Sequence, residues 1–373
     1  MGLIPYTKHS IDQSDIDAVV LTLRSDFLTQ GPKPAEFEYK LAEACGARYA
    51  VVYSSGTAAL LGAYYAAGLR PGDEFITTPI TFVATVNAGL FLGATPVLCD
   101  ISMSDYMIDQ AKIWEYVTPR TKIITPVAYA GYPIDLKLLQ QKAAASGIAV
   151  ILDAAHAIGA RVQGTPICRY ADMTVLSFHP AKHVAAGEGG AVLTDNKEYY
   201  NRLIMFRTHG VTKHPAMLSD YGSWYYEMRE LGLNYRLTDI QCALGISQLT
   251  RLKASLAARQ KIADRYRLEL NLDWLTLPPE PEDGGHAWHL YPILVKTGRH
   301  RFFNYLRAKG ILAQVHYIPV HYMPYYKEKK WFRPGDFPNA EEFYEREVSL
   351  PMFPALTDDE QGYVIDMIRR YEV

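Results

Sequence analysis

Apolar positions along the chain follow two alternating rhythms. Residues 11–24 place Ile11, Ile16, Val19, Val20 and Leu23 at helical spacing, with Ser10 or Asp12 available as the cap. Phe37, Leu41 and Ala44 repeat that spacing. Ala50 to Tyr53 then run without a polar break, which predicts a short buried strand. The run stops at Ser54-Ser55-Gly56-Thr57, and Ala58 to Ala67 return to a helical pattern. Strand and helix signals alternate onward at 74–78, 82–92, 95–100, 122–127, 135–147, 148–153, 172–178 and 190–194. Apolar strands separated by helices predict an α/β fold with a mostly parallel sheet covered on both faces. One long helical pattern runs from Leu237 to about Leu270. Past Pro278-Pro279 the pattern changes to strand 287–295, helix 300–309, strand 311–317 and helix 357–371, the signals of a smaller α+β unit. The boundary is expected near residue 250, giving a large domain over 1–250 and a small C-terminal domain over 251–373.

Composition narrows the classes. Of 373 residues, 49% are hydrophobic and 21% charged, an ordinary globular balance with room for a large core. The net charge of −2 gives no electrostatic reason for a nucleic-acid or anionic-membrane partner. Cys45, Cys99, Cys168 and Cys242 are scattered without a C-x-x-C pair, so neither a zinc site nor a disulfide framework is expected. Met1 to Ser10 hold no apolar signal core, and no apolar run reaches the ~18 residues of a membrane span. The expectation is a soluble, cytoplasmic, metal-free protein.

The candidate chemistry lies at two strand ends. Val150, Ile151 and Leu152 end at Asp153, and the following strand leads into Ser177-Phe178-His179-Pro180-Ala181-Lys182, then Gly187-Glu188-Gly189-Gly190. Alone, Asp153 reads as a helix cap and Lys182 as a surface lysine. Together, an acid after one buried strand and a lysine after the next are the pair that pyridoxal phosphate requires. The lysine forms a Schiff base, and the acid keeps the ring nitrogen protonated so that the ring accepts electrons. The Ser54–Thr57 turn, between a strand and a helix start, reads as an ordinary capping loop or as an anion site formed by backbone N–H groups and hydroxyls, to which Ser177 would add another hydroxyl. Phe82, near a helix start after Pro79, reads alone as a core aromatic or as a ring that stacks on a cofactor, and His156, three residues after Asp153, reads as a core histidine or as a cofactor neighbour.

These residues carry a resemblance. The blocks Ser25-Asp26-Phe27-Leu28-Thr29-Gln30-Gly31-Pro32, Thr77-Thr78-Pro79-Ile80-Thr81-Phe82-Val83-Ala84 and Asp153-Ala154-Ala155-His156 occur in order. They are followed by Ser177 to Lys182, Leu233-Asn234-Tyr235-Arg236 and His316-Tyr317-Ile318-Pro319-Val320-His321. In this order the chain resembles the DegT/StrS-type nucleotide-sugar aminotransferases from end to end. The resemblance implies a fold type I, aspartate-aminotransferase-like architecture with pyridoxal 5′-phosphate as cofactor. It makes Lys182 the Schiff-base lysine and Asp153 the pyridinium partner. Gly56, Thr57 and Ser177 fall to the phosphate, Phe82 stacks on the ring, and His156 lies beside it. Asn234 is implied to reach the neighbouring subunit's site in a homodimer with shared active sites. Tyr6, Asp26, Phe27, Leu28, Thr29, Gly56, Ser177, Asn234, His316, Tyr317, Ile318 and Pro319 are implied to line the nucleotide-sugar site. Within the family the blocks are most similar to the pseudaminic acid branch, which implies a UDP-linked 4-ketosugar and L-glutamate as substrates. A GDP- or dTDP-linked ketosugar is the alternative, and a non-catalytic binding protein on this fold is a third reading.

Overall fold

The structure, a computed structural model, describes residues 2–212 and 222–372. Seven strands build the central sheet: β1 (Tyr49–Tyr53), β2 (Glu74–Thr77), β3 (Thr95–Leu98), β4 (Thr121–Ile124), β5 (Ala149–Asp153), β6 (Met173–Ser177) and β7 (Gly190–Thr194). Their order is β1-β7-β6-β5-β4-β2-β3, and β7 alone runs antiparallel to its neighbours. All strands except β7 therefore end on one edge, where α/β sheets place their sites. The register Gly190↔Tyr53 and Gly190↔Ser177 brings the end of β1 level with the end of β6.

Helices cover the sheet. Among them are α1 (Gln13–Leu23), α2 (Lys33–Cys45), α3 (Gly56–Ala66), α4 (Ala84–Phe91), α5 (Lys137–Ala145) and α6 (Lys197–Arg207). The α3 sequence GTAALLGAYYA has almost no polar face because the helix is enclosed between the sheet, α4 and α6. Gly62 is required there, since a Cβ would sit 2.6 Å from the Tyr53 hydroxyl. That hydroxyl donates to Leu203 O at 2.8 Å, so Tyr53 ties β1 to α6.

The buried side chains form two clusters. The larger surrounds the central sheet and also takes in Val320, Tyr326, Phe337 and Phe343 from the C-terminal part. The second gathers Ile4 with residues from Ile262 to Tyr371, around a three-stranded sheet of Leu275–Thr276, Tyr291–Val295 and Glu347–Leu350.

Three local expectations are corrected. The predicted helix from Leu237 to Leu270 is two helices, α7 (Asp239–Thr250) and α8 (Leu252–Glu269), separated at Arg251. Arg251 binds Asp12 and Asp15 of the α1 region, and that ion-pair anchor sits at the break. The apolar stripe of α1 does not face the core. Asp15 and Thr22 are buried against α7, while Ile16 and Leu23 are 48% and 54% exposed. Periodicity located the stripe, but the charged anchor oriented the helix. Finally, the strand expected over 311–317 is only Ile311–Leu312, paired with Ile4–Pro5, and the chain then turns toward the site.

Candidate active site

A cavity of about 420 Å³ opens at the strand-end edge of the central sheet. Tyr6, Gly56, Thr57, Phe82, Asp153, His156, Ser177, Lys182, His316 and Tyr317 all line it, so ten of the expected residues meet in one place. Its size is that of a small-molecule site.

Asp153 ends β5 and is 5% exposed. Its Oδ1 accepts the Ala155 N–H at 3.1 Å, and its Oδ2 accepts the Thr85 hydroxyl at 2.7 Å. Thr81 lies 2.7 Å from Thr85 Oγ1. Because Thr85 spends its proton on Asp153, Thr81 donates to Thr85. Burial pushes the Asp153 carboxyl up, while Thr85, the Ala155 N–H and the charge of Lys182 pull it back. Thr81 and Thr85 lie four residues apart across the start of α4, so an i, i+4 hydroxyl pair was the signal that sequence reading passed over.

Lys182 is partly buried and lines the cavity. Desolvation lowers its pKa from the ordinary 10.5 to about 8, opposed by Asp153. A larger share of the amine is thus neutral and nucleophilic near neutral pH. The imidazoles nearby add no charge. Burial first, then the Lys182 cation, holds His316 down to about 3. His156, His183 and His289 lie well below their usual range for the same leading reason. His156 and His289 stack with centroids 4.3 Å apart, and His156 Nε2 meets the Tyr317 hydroxyl at 3.0 Å.

Another part of the cavity lining is an anion cradle. Ser55 caps α3, its Oγ accepting Ala58 N–H at 3.1 Å, and the helix N-terminus, Thr57 and Ser177 converge there. Close approach makes the cradle: a Cβ on Gly56 would stand 3.1 Å from Ser177 Cβ, and one on Gly190 would meet Ser55 O at 2.6 Å. A buried carboxylate, an activated amine and a hydroxyl-lined helix start fit the ring nitrogen, the aldehyde carbon and the phosphate of pyridoxal phosphate.

The profile of the DegT/DnrJ/EryC1/StrS aminotransferase family matches residues 9–369. The chain belongs to that family. This sugar aminotransferase is 39% identical to the spore coat polysaccharide biosynthesis protein SpsC of Bacillus subtilis, over 98% of this chain and 96% of that one. It is 36% identical to the UDP-4-amino-4,6-dideoxy-N-acetyl-beta-L-altrosamine transaminase of Campylobacter jejuni, again over 98% and 96%. Among solved structures it is similar to Helicobacter pylori PseC, an aminotransferase involved in pseudoaminic acid biosynthesis. The TM-score is 0.91 and the identity 33%, with 99% of this chain and 98% of that one covered.

The remaining expected residues lie outside the aminotransferase's cavity in this chain. Asp26, Phe27, Leu28 and Thr29 form an exposed turn after α1. Asp239 holds it, donating its N–H to Leu28 O at 3.0 Å and accepting the Gly31 and Lys33 N–H groups on its carboxylate. Asn234 is exposed and bridges Thr208, while its neighbour Tyr235 accepts the Ser54 N–H at 2.8 Å, beside the anion cradle. Ile318 is exposed and Pro319 buried, and the following Val320 N–H donates to Pro79 O at 2.9 Å. His289, Glu188 and His179 line the cavity without having been singled out from the sequence. Among the described residues no cluster is suited to a metal ion, and no helix is long and apolar enough to cross a membrane.

Proposed function

We propose that the enzyme transfers the amino group of L-glutamate to C4 of UDP-2-acetamido-2,6-dideoxy-β-L-arabino-hex-4-ulose. The products are UDP-4-amino-4,6-dideoxy-N-acetyl-β-L-altrosamine and 2-oxoglutarate. The cofactor of this aminotransferase is pyridoxal 5′-phosphate. When bound, it supplies an electron sink for the pair released as a substrate C–H bond breaks. The observation that carries the reading is the cavity that Lys182 and Asp153 share with the Gly56–Thr57–Ser177 cradle.

The residues divide the work. Asp153, fixed by Thr85 and Ala155, holds the proton on the ring nitrogen. The Lys182 amine would hold the aldehyde carbon and would move the proton to and from the amino donor's Cα and the sugar's C4. Thr57, Ser177 and the start of α3 would bind the phosphate, and Phe82 would pack against the ring. Tyr6, His316 and Tyr317 receive the sugar.

The proposed enzyme is a homodimer with shared sites. Phe27, Leu28, Trp224, Tyr226, Met228, Leu231 and Leu233 are all exposed, an apolar set that a second copy would cover. Asn234, at the edge of that set, would then reach the other copy's phosphate region. Asp26, Thr29, Ile318 and Pro319 complete the sugar site under the same arrangement. The greater identity to SpsC supports a second reading, with another nucleotide-linked 4-ketosugar as acceptor.

Incubation with L-glutamate and UDP-, GDP- and dTDP-linked 4-ketosugars, read by product mass, separates the two. Amination of the UDP-linked L-arabino ketosugar in preference to the others is expected. Preference for a GDP- or dTDP-linked sugar would replace the acceptor while keeping the transamination.

A further inference from the structure

His316 reaches the cavity from the C-terminal part of the chain, and a buried polar chain stands behind it. Its ring nitrogen Nδ1 lies 2.9 Å from the Ser349 hydroxyl. That hydroxyl donates to Glu347 Oε1 at 2.5 Å. The other oxygen, Oε2, accepts the backbone N–H of His316 itself at 2.8 Å. Tyr129 closes the cage from the sheet side, donating its hydroxyl to His316 O at 2.6 Å. Glu347 and Ser349 are wholly buried, and Tyr129 almost so. The backbones of Ser349 and Gln314 pair at 2.8 and 3.3 Å, which fixes the distance between the two segments.

Proton counting gives the chain a direction. Burial raises the Glu347 carboxyl to about 8, against the pull of the Ser349 hydroxyl and the His316 N–H. Once Glu347 is ionised, the single hydroxyl proton of Ser349 is spent on it. Ser349 Oγ therefore meets Nδ1 as an acceptor, so Nδ1 must carry the ring proton. The ring is neutral, because burial disfavours its cation. Nε2 is then left with a lone pair.

We propose that Glu347 and Ser349 are positioning residues that lock the His316 proton on Nδ1, so that the ring offers the cavity an acceptor nitrogen for a donor group of the nucleotide sugar, a hydroxyl or an acetamido N–H. The ligand class rests on the sugar-aminotransferase reading above. The lock itself does not.

The test is ¹⁵N-histidine NMR of the full-length protein, with the His316 signals assigned by loss in His316→Gln. At about pH 9, where Glu347 is ionised, the wild type shows a protonated Nδ1 and a bare Nε2. Ser349→Ala removes the bridge and gives averaged tautomers, and Ser349→Thr restores the lock. Glu347→Gln presents an amide N–H to Ser349, whose hydroxyl turns to Nδ1, so the proton moves to Nε2. In kinetics, Ser349→Ala raises KM for the nucleotide sugar about tenfold and leaves the L-glutamate half-reaction unchanged. A wild-type proton on Nε2, or a Ser349→Ala spectrum like the wild type, overturns the proposal. So does a sugar KM that Ser349→Ala leaves alone. The NMR readings are taken without sugar, so they decide the lock even where the substrate assignment fails.

Discussion

The cavity has two walls built on different principles. One is the edge of the central sheet, where Asp153 ends β5, Ser177 ends β6 and Lys182 follows. Each group stands on a hydrogen-bonded strand or just past it, and covalent continuity does most of the positioning. The other wall is the His316–Tyr317 turn, which belongs to no strand or helix. Its position comes from Glu347, Ser349 and Tyr129, residues remote in sequence. A rigid wall suits groups that must meet one cofactor in both half-reactions. A wall hung on side-chain hydrogen bonds suits recognition of one substrate.

The variants that test this division fall in a clear order. Lys182→Ala removes the amine proposed to serve both halves and is expected to lower turnover by about 10⁴ with glutamate and with sugar alike. Rapid mixing of each half-reaction separately checks it, and a loss confined to one half would break the division between the walls. Asp153→Asn keeps the shape but not the charge and slows both halves by roughly 10²–10³. The Ser349→Ala effect is smaller and falls on the sugar half alone.

The last effect is on stability rather than rate. Desolvation lowers the Lys182 pKa from 10.5 in the unfolded chain to about 8 in the fold. Between those values the unfolded state binds more protons, so this group makes stability rise with pH across that window. Below about pH 8 its burden is complete. Without cofactor, Lys182→Met should therefore be more stable than the wild type at pH 7 by roughly 2 kcal/mol. That is less than the whole shift implies, because the amine still faces an open cavity. The gain should fade toward pH 10.5, and denaturant titrations at both ends of the window measure it.

The same contrast explains what could be read from the chain. Buried parallel strands are continuous apolar runs, so 148–153 and 172–178 located β5 and β6, and with them Asp153 and Ser177, to within a residue or so. The orientation of α1 was not legible, because the Arg251 contacts with Asp12 and Asp15 join residues far apart in sequence. Glu347 and Ser349 were invisible for the same reason. Nothing in Glu-Val-Ser-Leu marks a glutamate facing the backbone of residue 316. The roles proposed for Asp26–Thr29 and Asn234 rest on resemblance, since this chain alone leaves them at the surface.

The most direct test of the sheet wall is covalent trapping. The protein is loaded with pyridoxal phosphate, reduced with borohydride, digested and mapped by mass. The account predicts one reduced adduct, on the peptide carrying Lys182, and its loss when L-glutamate is added before reduction. An adduct on another lysine, or one on Lys182 that glutamate leaves in place, would contradict it.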